Sequence, residues 1–546
     1  MCGVWAAFSS HPNFLPTKAA AERMVAALKP RGPEGSQLEQ VPVGYLGFTR
    51  LAINGLTSNG MQPFRRRNVV WAVNGEIYNW RELVAEYGLD CTTGSDCEVI
   101  GALYMYWRMT NRPLEALFQA LDGVFACIIY DADKNQIIAA RDPFGVRPLY
   151  RGKTPEGAIY FSSELKALPP NTEVTHVKPG TLETFHMWPG EERSQFILST
   201  QYHAIAPQPL PAFAAEEAAC TAIRVALKAA VKKRLMTERP VAALLSGGVD
   251  SSLIASLVAH ELRRAGAPKL KTFSIGMEGS EDLRYAKRVA EWINSEHHEI
   301  IVTAEEMLGA VPAVIRDIES FDTTTVRASV GNWLVARAVA ERSDCKVVFN
   351  GDGSDEVFGS YLYFLNAPSE HAFAEEVRRL LAEIHQYDVL RSDRSISSQG
   401  LEARTPFLDK AFVQTVLSIP AALRRPGAGR PEKFLLRKAF NDGVTLPYEV
   451  LWRRKEAFSD GVSGQEKSWY QLTQEAAAGS VLEDWPVVAK RDYKHLTPAT
   501  PEQFRNRMEF CRNYPDAWAA TAVPAFWMPR WCDGATDPSA RTLKLY

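Results

Sequence analysis

No apolar run in this sequence approaches the roughly 20 residues a membrane-spanning helix needs, so a membrane role is not expected. Neither sign of charge dominates. The 62 Lys and Arg stand against 64 Asp and Glu, with no basic stripe for nucleic acid and no acidic tail for a partner. The eight cysteines (2, 91, 97, 127, 220, 345, 511 and 532) lack paired metal-type spacing, and the simplest inference is a reducing, cytoplasmic compartment. No charged leader precedes an apolar segment, so no secretory signal is expected. The triphosphate-loop pattern Gly-x-x-x-x-Gly-Lys-Ser/Thr is also missing. What remains is a soluble chain of 546 residues, 46% hydrophobic, too long for one core and so predicted to form two to four domains.

The densest signal is Ser246-Gly247-Gly248-Val249-Asp250-Ser251-Ser252. Val241-Ala242-Ala243-Leu244-Leu245 before it reads as a buried strand, and Leu253–Leu262 after it has helical spacing. A strand, a glycine-rich turn and a helix point backbone N–H groups and the positive end of the helix at an anion. The glycines allow close approach to phosphate, and three serines offer hydroxyls. A carboxylate, Asp250, inside such a cradle implies a cation between it and the phosphate, so Mg²⁺ is expected. An ordinary strand-to-helix turn would explain the glycines alone, but not the full heptapeptide. It resembles the pyrophosphatase-type loop of ATP enzymes that adenylate a carboxylate or carbonyl oxygen, among them asparagine, GMP and argininosuccinate synthetases and tRNA thiolases.

Met1-Cys2-Gly3-Val4-Trp5 is the second informative stretch. Once Met1 is removed, the α-amine of Cys2, with an ordinary pKa of about 7.7–8.0, can act as base for its own thiol. A lone cysteine is usually an inert buried hydrophobe, but its neighbours alter that. Arg31-Gly32-Pro33-Glu34, Gly47–Ile53, Val73-Asn74-Gly75-Glu76-Ile77-Tyr78-Asn79, Thr93–Glu98, Leu121–Ala126, Ala140–Tyr150 and Phe161–Leu168 follow in order. With Met-Cys-Gly they resemble the class II glutamine amidotransferases over roughly the first third of the chain. Attack on a carboxamide needs oxyanion donors, for which the Asn74 amide and Gly75 N–H are suited. Arg50, with Leu51 beside it, matches the position that takes the α-carboxylate of glutamine, and Glu76 and Asp96 match those that hold its α-ammonium. Asn74-Gly75 is also a strong hairpin signal between Trp71-Ala72-Val73 and Ile77-Tyr78. Alternating runs such as Gly123–Tyr130, with short helices predicted at 17–28, 80–86 and 98–106, suggest antiparallel sheets flanked by helices. The resemblance implies the four-layer fold of the N-terminal nucleophile type.

Three prolines within 204–213 read as a semi-rigid linker between a glutaminase domain, 1–203, and a second domain, 214–546. A helix over 214–236 delivers the chain to the nucleotide loop. Leu270–Gly276 and Cys345–Gly351 look like further buried strands between helices, which predicts a doubly wound parallel sheet with ligand at its carboxyl ends. Beyond Tyr361 the pattern is mostly helical.

Phe321–Ser329, Asn350-Gly351-Asp352-Gly353-Ser354-Asp355-Glu356, Gly400–Asp409, Trp452–Gly461 and Asp537–Arg541 complete a set that, across essentially the whole chain, resembles the glutamine-hydrolysing asparagine synthetases. The resemblance implies an adenine nucleotide hydrolase-like second domain, ATP and Mg²⁺, formation of β-aspartyl-AMP, and its attack by ammonia from the first domain. It assigns the pyrophosphate to loop 246–252, the rest of ATP to Leu244, Ile275, Asn350 and Gly351, and aspartate to Thr324, Thr325, Arg327 and Glu356. Asp250 and Asp355 take the metal, Asp352 faces the adenylate and ammonia, and Lys455 neutralises developing phosphoryl charge. Arg404 and Asp409 are expected to form an ion pair between helices. Dimers are common in the family, so a homodimer is an expectation of the same kind. Two departures stand out. Pro30-Arg31-Gly32-Pro33-Glu34 replaces the more usual His-Arg-Gly-Pro-Asp, and Asp352 replaces a glutamate, shortening its reach by about 1.5 Å. Two alternatives stay open: an amidotransferase adenylating another carboxylate, as β-lactam synthetases do (though they generally lack the N-terminal cysteine), and a non-catalytic glutamine or nucleotide sensor.

Overall fold

The computed structural model describes residues 1–190, 195–206, 208–427, 429–454, 461–463, 467–532, 534–535 and 537–539. Its first third is built from two six-stranded antiparallel sheets. One runs, edge to edge, Glu173–His176, Tyr150–Lys153, Ile159–Ser162, Gly3–Phe8, Gly44–Arg50, Gly35–Val41. The other runs Gln195–Gln201, Thr181–His186, Gln136–Arg141, Gly123–Asp131, Val69–Ile77, Phe64–Arg66. Period-two alternation explains the stacking. Val4, Ala6 and Phe8 point into the core between the sheets, against Val70, Ala72, Ala126 and Ile128. Trp5 and Ala7 point outward onto Ala21 and Val25 of helix Lys18–Ala26. Trp71, Val73 and Cys127 cover the opposite outer face beneath helices Glu98–Met109 and Leu114–Ala120. The result is the expected helix, sheet, sheet, helix sandwich.

Helix Glu216–Lys233 follows the proline-rich segment and opens the second domain. Its sheet is wholly parallel, in the order Glu296–Ile301, Lys271–Gly276, Val241–Leu244, Val347–Phe349, Glu402–Arg404. The order reverses between Val241–Leu244 and Val347–Phe349. Such a switch point opens a crevice beyond the carboxyl ends of the two strands, where open parallel sheets bind ligands. The C-terminal part is mostly helical as expected, with one exception. Glu402–Arg404 is an edge strand, too short for periodicity to reveal. Among the described residues no helix is long and apolar enough to cross a membrane.

Candidate active sites

Gly3–Phe8 starts one residue after Cys2, so the first sheet itself fixes the thiol's position. The Cys2 Sγ lies 3.4 Å from the Leu51 N–H and 3.5 Å from the Leu51 carbonyl. With Met1 in place, the chain's α-amine donates to the Leu401 carbonyl at 2.9 Å. Burial pushes that amine down to about 5 and the Cys2 thiol up to about 11.

Asn74 and Gly75 form no hairpin. Both lie inside the continuous strand Val69–Ile77, opposite Ala126 and Phe125. The glycine serves a close approach rather than a turn, since a Cβ there would meet the Val124 carbonyl at 2.2 Å. The Asn74 side chain is fully buried with neither amide nitrogen nor oxygen bonded. A fully buried amide with no partner is costly unless a ligand completes it.

The charged residues of this site are buried as well. Glu76 accepts from Asn54 Nδ2 at 2.7 Å and lies 3.3 Å from Arg404. Burial first, then Asp96 and Glu402, hold its carboxyl well above the usual range. Asp96 accepts the Ile77 N–H at 2.7 Å, and burial lifts it to about 6. Arg50 donates to the carbonyls of Thr57 at 2.7 Å and Gly55 at 2.5 Å.

The expected Arg404–Asp409 pair is absent. Arg404 sits on the edge strand and pairs with Glu402 at 2.7 Å and with Glu76 across the domain boundary. Asp409 instead caps helix Lys410–Leu417 and pairs with Lys233 and Arg234, each at 2.6 Å. The N-cap position directs the Asp409 carboxylate to free N–H groups and away from the strand. Further ties join the domains. Buried Arg31 reaches Asp393 at 2.7 Å as well as Glu164 at 2.9 Å, and Glu319 accepts the N–H groups of Leu165 and Lys166.

At the switch point lies a cavity of about 280 Å³. Leu244, Ser246, Gly248, Asp250, Ser251, Ile275, Thr324, Thr325, Arg327, Asn350, Gly351, Asp352, Asp355 and Glu356 all line it, uniting segments far apart in sequence. Gly247 and Ser252 lie behind this lining in the same loop. Gly247 has φ +73°, and a Cβ there would stand 2.5 Å from the Tyr285 Cβ. The Ser252 hydroxyl is buried and unbonded. Ser246 and Ser251 bond to each other at 2.9 Å, and helix Val249–Arg264 starts here with no side chain capping it, leaving N–H groups for an anion.

Asp250 and Asp355 are joined by Lys433, whose Nζ lies 2.5 Å from one carboxylate and 2.8 Å from the other. Burial alone would lower the Lys433 ammonium, but the two carboxylates hold it above its ordinary value. Asp352 has one oxygen 3.3 Å from Arg391 and the other buried and unbonded, and burial raises its carboxyl. Glu356 accepts from the Tyr361 hydroxyl at 2.5 Å, and burial, with Asp388 next, holds it well above the usual range. The Thr324 hydroxyl is buried and unbonded, whereas Thr325 donates to Asp322 through its N–H at 2.8 Å and its hydroxyl at 2.7 Å. Arg327 already has both faces filled, by Glu502 at 2.5 Å and Asp537 at 2.8 Å. Lys455 lies outside the described residues.

Sequence reading missed Lys433, Arg391 and Asp388 and gave Tyr361 no role beyond the Gly359-Ser360-Tyr361 departure, though all four line the cavity. Lys433, Arg391 and Asp388 belong to no glycine-rich or periodic pattern. Lys433 stands in the left-handed region, φ +57°, just ahead of helix Phe434–Ala439, and only the fold turns it inward.

Comparison with known proteins agrees with this two-site arrangement. The family profile described as glutamine amidotransferase domain matches residues 1–220, and that described as asparagine synthase matches 222–378 and 366–510. A Gallus gallus protein named asparagine synthetase (glutamine-hydrolyzing) is 40% identical over 577 residues, covering 100% of this chain and 99% of its own. Those of Cricetulus griseus and Rattus norvegicus, of the same name, are 38% and 39% identical with the same coverage.

Proposed function

We propose how two sites divide the work in a chain that belongs to the glutamine-hydrolysing asparagine synthetases. The overall reaction consumes aspartate, glutamine, ATP and water and yields asparagine, glutamate, AMP and diphosphate.

In the glutaminase site, removal of Met1 transfers the α-amine to Cys2, beside the thiol it must deprotonate. The thiolate attacks the glutamine carboxamide, and the amine returns the proton to the departing ammonia. Water then releases glutamate from the thioester. Asn74, whose amide has no partner of its own, and the Gly75 N–H stabilise the oxyanion. Arg50 and Leu51 hold the α-carboxylate end, and Glu76 with Asp96 the α-ammonium.

In the synthetase site, an oxygen of the aspartate side chain attacks the α-phosphorus of ATP and diphosphate leaves. Loop 246–252 and the free N-terminus of its helix receive the diphosphate. Leu244, Ile275, Asn350 and Gly351 hold the nucleoside and α-phosphate. Asp250 and Asp355 suit Mg²⁺, which is commonly bound by one or two carboxylates together with substrate phosphates. When bound it neutralises phosphate charge. Lys433, freed from those carboxylates, supplies a further positive charge. Glu356 offers a carboxyl to the aspartate ammonium, and Thr324 and Thr325 offer hydroxyls to its carboxylate. Arg327 reaches that carboxylate by exchanging Asp537 for it. Asp352 takes a proton from ammonia as it adds to the β-aspartyl carbonyl and AMP departs.

The observation that carries this reading is the cavity at the switch point, which joins the phosphate loop to Thr324, Asp352 and Glu356 within one space. Asparagine and AMP formation from aspartate, ATP and Mg²⁺, with glutamine or ammonium as parallel nitrogen sources, tests it. Asparagine from both sources is the expected result, and none from either would overturn the assignment.

A further inference from the structure

The wall of the glutamine site formed by residues 50–55 is held by the other domain at Ala52, Ile53 and Gly55. Glu238 receives the Gly55 N–H on its Oε1 at 2.6 Å and donates its own N–H to the Ile53 carbonyl at 3.0 Å. Next to it, Arg239 donates through Nε to the Ala52 carbonyl at 2.9 Å and through a terminal nitrogen to Glu34 Oε1 at 2.8 Å. Glu34 closes the circuit. Its second oxygen accepts the Ala52 N–H at 2.8 Å, and its own N–H donates to the Arg50 carbonyl at 3.0 Å. These bonds bracket Arg50, whose guanidinium leans on the Gly55 carbonyl, and Leu51, whose N–H and carbonyl both touch the Cys2 sulfur.

The clamp is not a casual surface contact. Thr237 folds its hydroxyl onto the Arg239 N–H at 2.9 Å, which fixes the turn that presents both side chains. Pro240 follows, with its carbonyl accepting the Lys346 N–H at 3.1 Å, and Val241 then begins the central strand of the parallel sheet. The segment gripping the glutamine wall is therefore the start of the strand that ends at the nucleotide loop. An aspartate at position 34 would fall short by about 1.5 Å, so the extra methylene of Glu34 is what lets one carboxylate serve both Ala52 and Arg239.

We infer that Glu238 and Arg239, acting with Glu34, are positioning residues for glutamine hydrolysis: the synthetase domain supplies the clamp that holds Arg50 and Leu51 in register around the Cys2 thiol. They touch no reacting atom. Their role is to make glutamine binding depend on a correctly docked synthetase domain, so that ammonia is released only where it can be used. The inference rests on the assignment of the glutamine site given above.

The test uses the full-length enzyme with Arg239→Ala, Arg239→Lys, Glu238→Gln, Glu34→Gln and the Glu34→Gln/Arg239→Ala pair. Steady-state glutaminase kinetics and ammonia-driven asparagine synthesis are measured on the same preparations. Side chains of Arg239 and Glu34 are each about 30% exposed, which moderates the effect. Arg239→Ala is expected to raise the KM for glutamine about 3- to 10-fold. It also increases glutamate formed per asparagine and leaves ammonia-driven synthesis intact. The double variant should lose little beyond the larger single loss, as expected for one network. Arg239→Lys, which keeps the charge but not the fork, should recover only part. An unchanged glutamine KM in both Arg239→Ala and Glu238→Gln overturns the clamp, as does an equal fall in ammonia-driven synthesis. Cys2→Ala is measured alongside. If it retains glutaminase activity, the glutamine-site assignment falls and the clamp with it. If it loses activity while Arg239→Ala and Glu238→Gln both behave like the unaltered enzyme, only the clamp falls.

Discussion

Replacing Lys433 by methionine removes a buried ammonium from between two carboxylates and leaves its volume almost unchanged. The lysine side chain is 2% exposed, and those of Asp250 and Asp355 are 22% and 24% exposed. Removing one partner of a buried ionic cluster costs about 3–5 kcal/mol. Because the two carboxylates keep some water and a serine hydroxyl each, the lower end, roughly 3 kcal/mol, is the better figure here. At about 1.4 °C per kcal/mol for a domain of roughly 330 residues, the nucleotide-free variant should melt roughly 4 °C below the unaltered protein. Two carboxylates relieved of the ammonium between them are also a better divalent-cation site than two already neutralised. Millimolar Mg²⁺ without ATP should therefore raise the melting temperature of Lys433→Met by several degrees and that of the unaltered protein far less. Lys433 holds its proton more tightly folded than unfolded. Its contribution is thus fully present below the ordinary lysine pKa, near 10.4, and is lost only as pH rises through the folded value. The difference between the two proteins should accordingly stay flat from pH 6 to pH 9 (about neutral conditions). A calorimetric scan with and without Mg²⁺ decides the matter. A variant that melts within about 1 °C of the unaltered protein, or responds to Mg²⁺ no differently, refutes the electrostatic account of this cluster.

Four further outcomes follow from the two sites. Asn74→Ala should lower the kcat for glutamine hydrolysis about 10²- to 10³-fold with ammonia-driven synthesis retained; parallel loss of both in the same assays would contradict the oxyanion role. Asp352→Asn should abolish asparagine formation from either nitrogen source and spare glutaminase activity, checked by separate glutamate and asparagine assays. Asp96, raised to about 6 by burial, must be anionic to hold the ammonium of glutamine. The KM for glutamine should therefore climb as pH falls below about 6, and Asp96→Asn should raise the KM at neutral pH and shrink that climb, with Glu76 left as the second carboxylate. Asp537→Asn weakens the carboxylate that competes for Arg327 and should lower the KM for aspartate, measured in ammonia-driven synthesis.

The phosphate loop was legible in the sequence because it is local. Ser246 to Ser252 must follow a strand and open a helix to present N–H groups to an anion, and that need writes itself into seven consecutive residues. The N-terminal cysteine stood out as a candidate for the same reason, since one residue can supply both nucleophile and base. Gly123–Tyr130 read as a strand of an antiparallel sheet, and the structure has it as one, buried on both faces. Local pattern also misled. Asn74-Gly75 carries the signature of a turn, yet pairing with Ala126 and Phe125 draws it into the middle of a strand, where cross-strand bonds outweigh turn preference.

Only the tertiary structure decided which charges meet. Lys433 gives no periodic or motif signal, and it enters the cavity because the fold brings helix Phe434–Ala439 under the Asp250 loop, 183 residues away in sequence. Arg404 and Asp409 sit five residues apart and look like partners, but strand and helix cap turn them to different ones. Arg239 reads as one more charge before a strand until packing sets it against Glu34 and Ala52 of the other domain. Backbone chemistry is dictated by neighbours along the chain, so a sequence displays it. Ion pairs depend on distances of a few ångströms between segments that only a completed fold brings together.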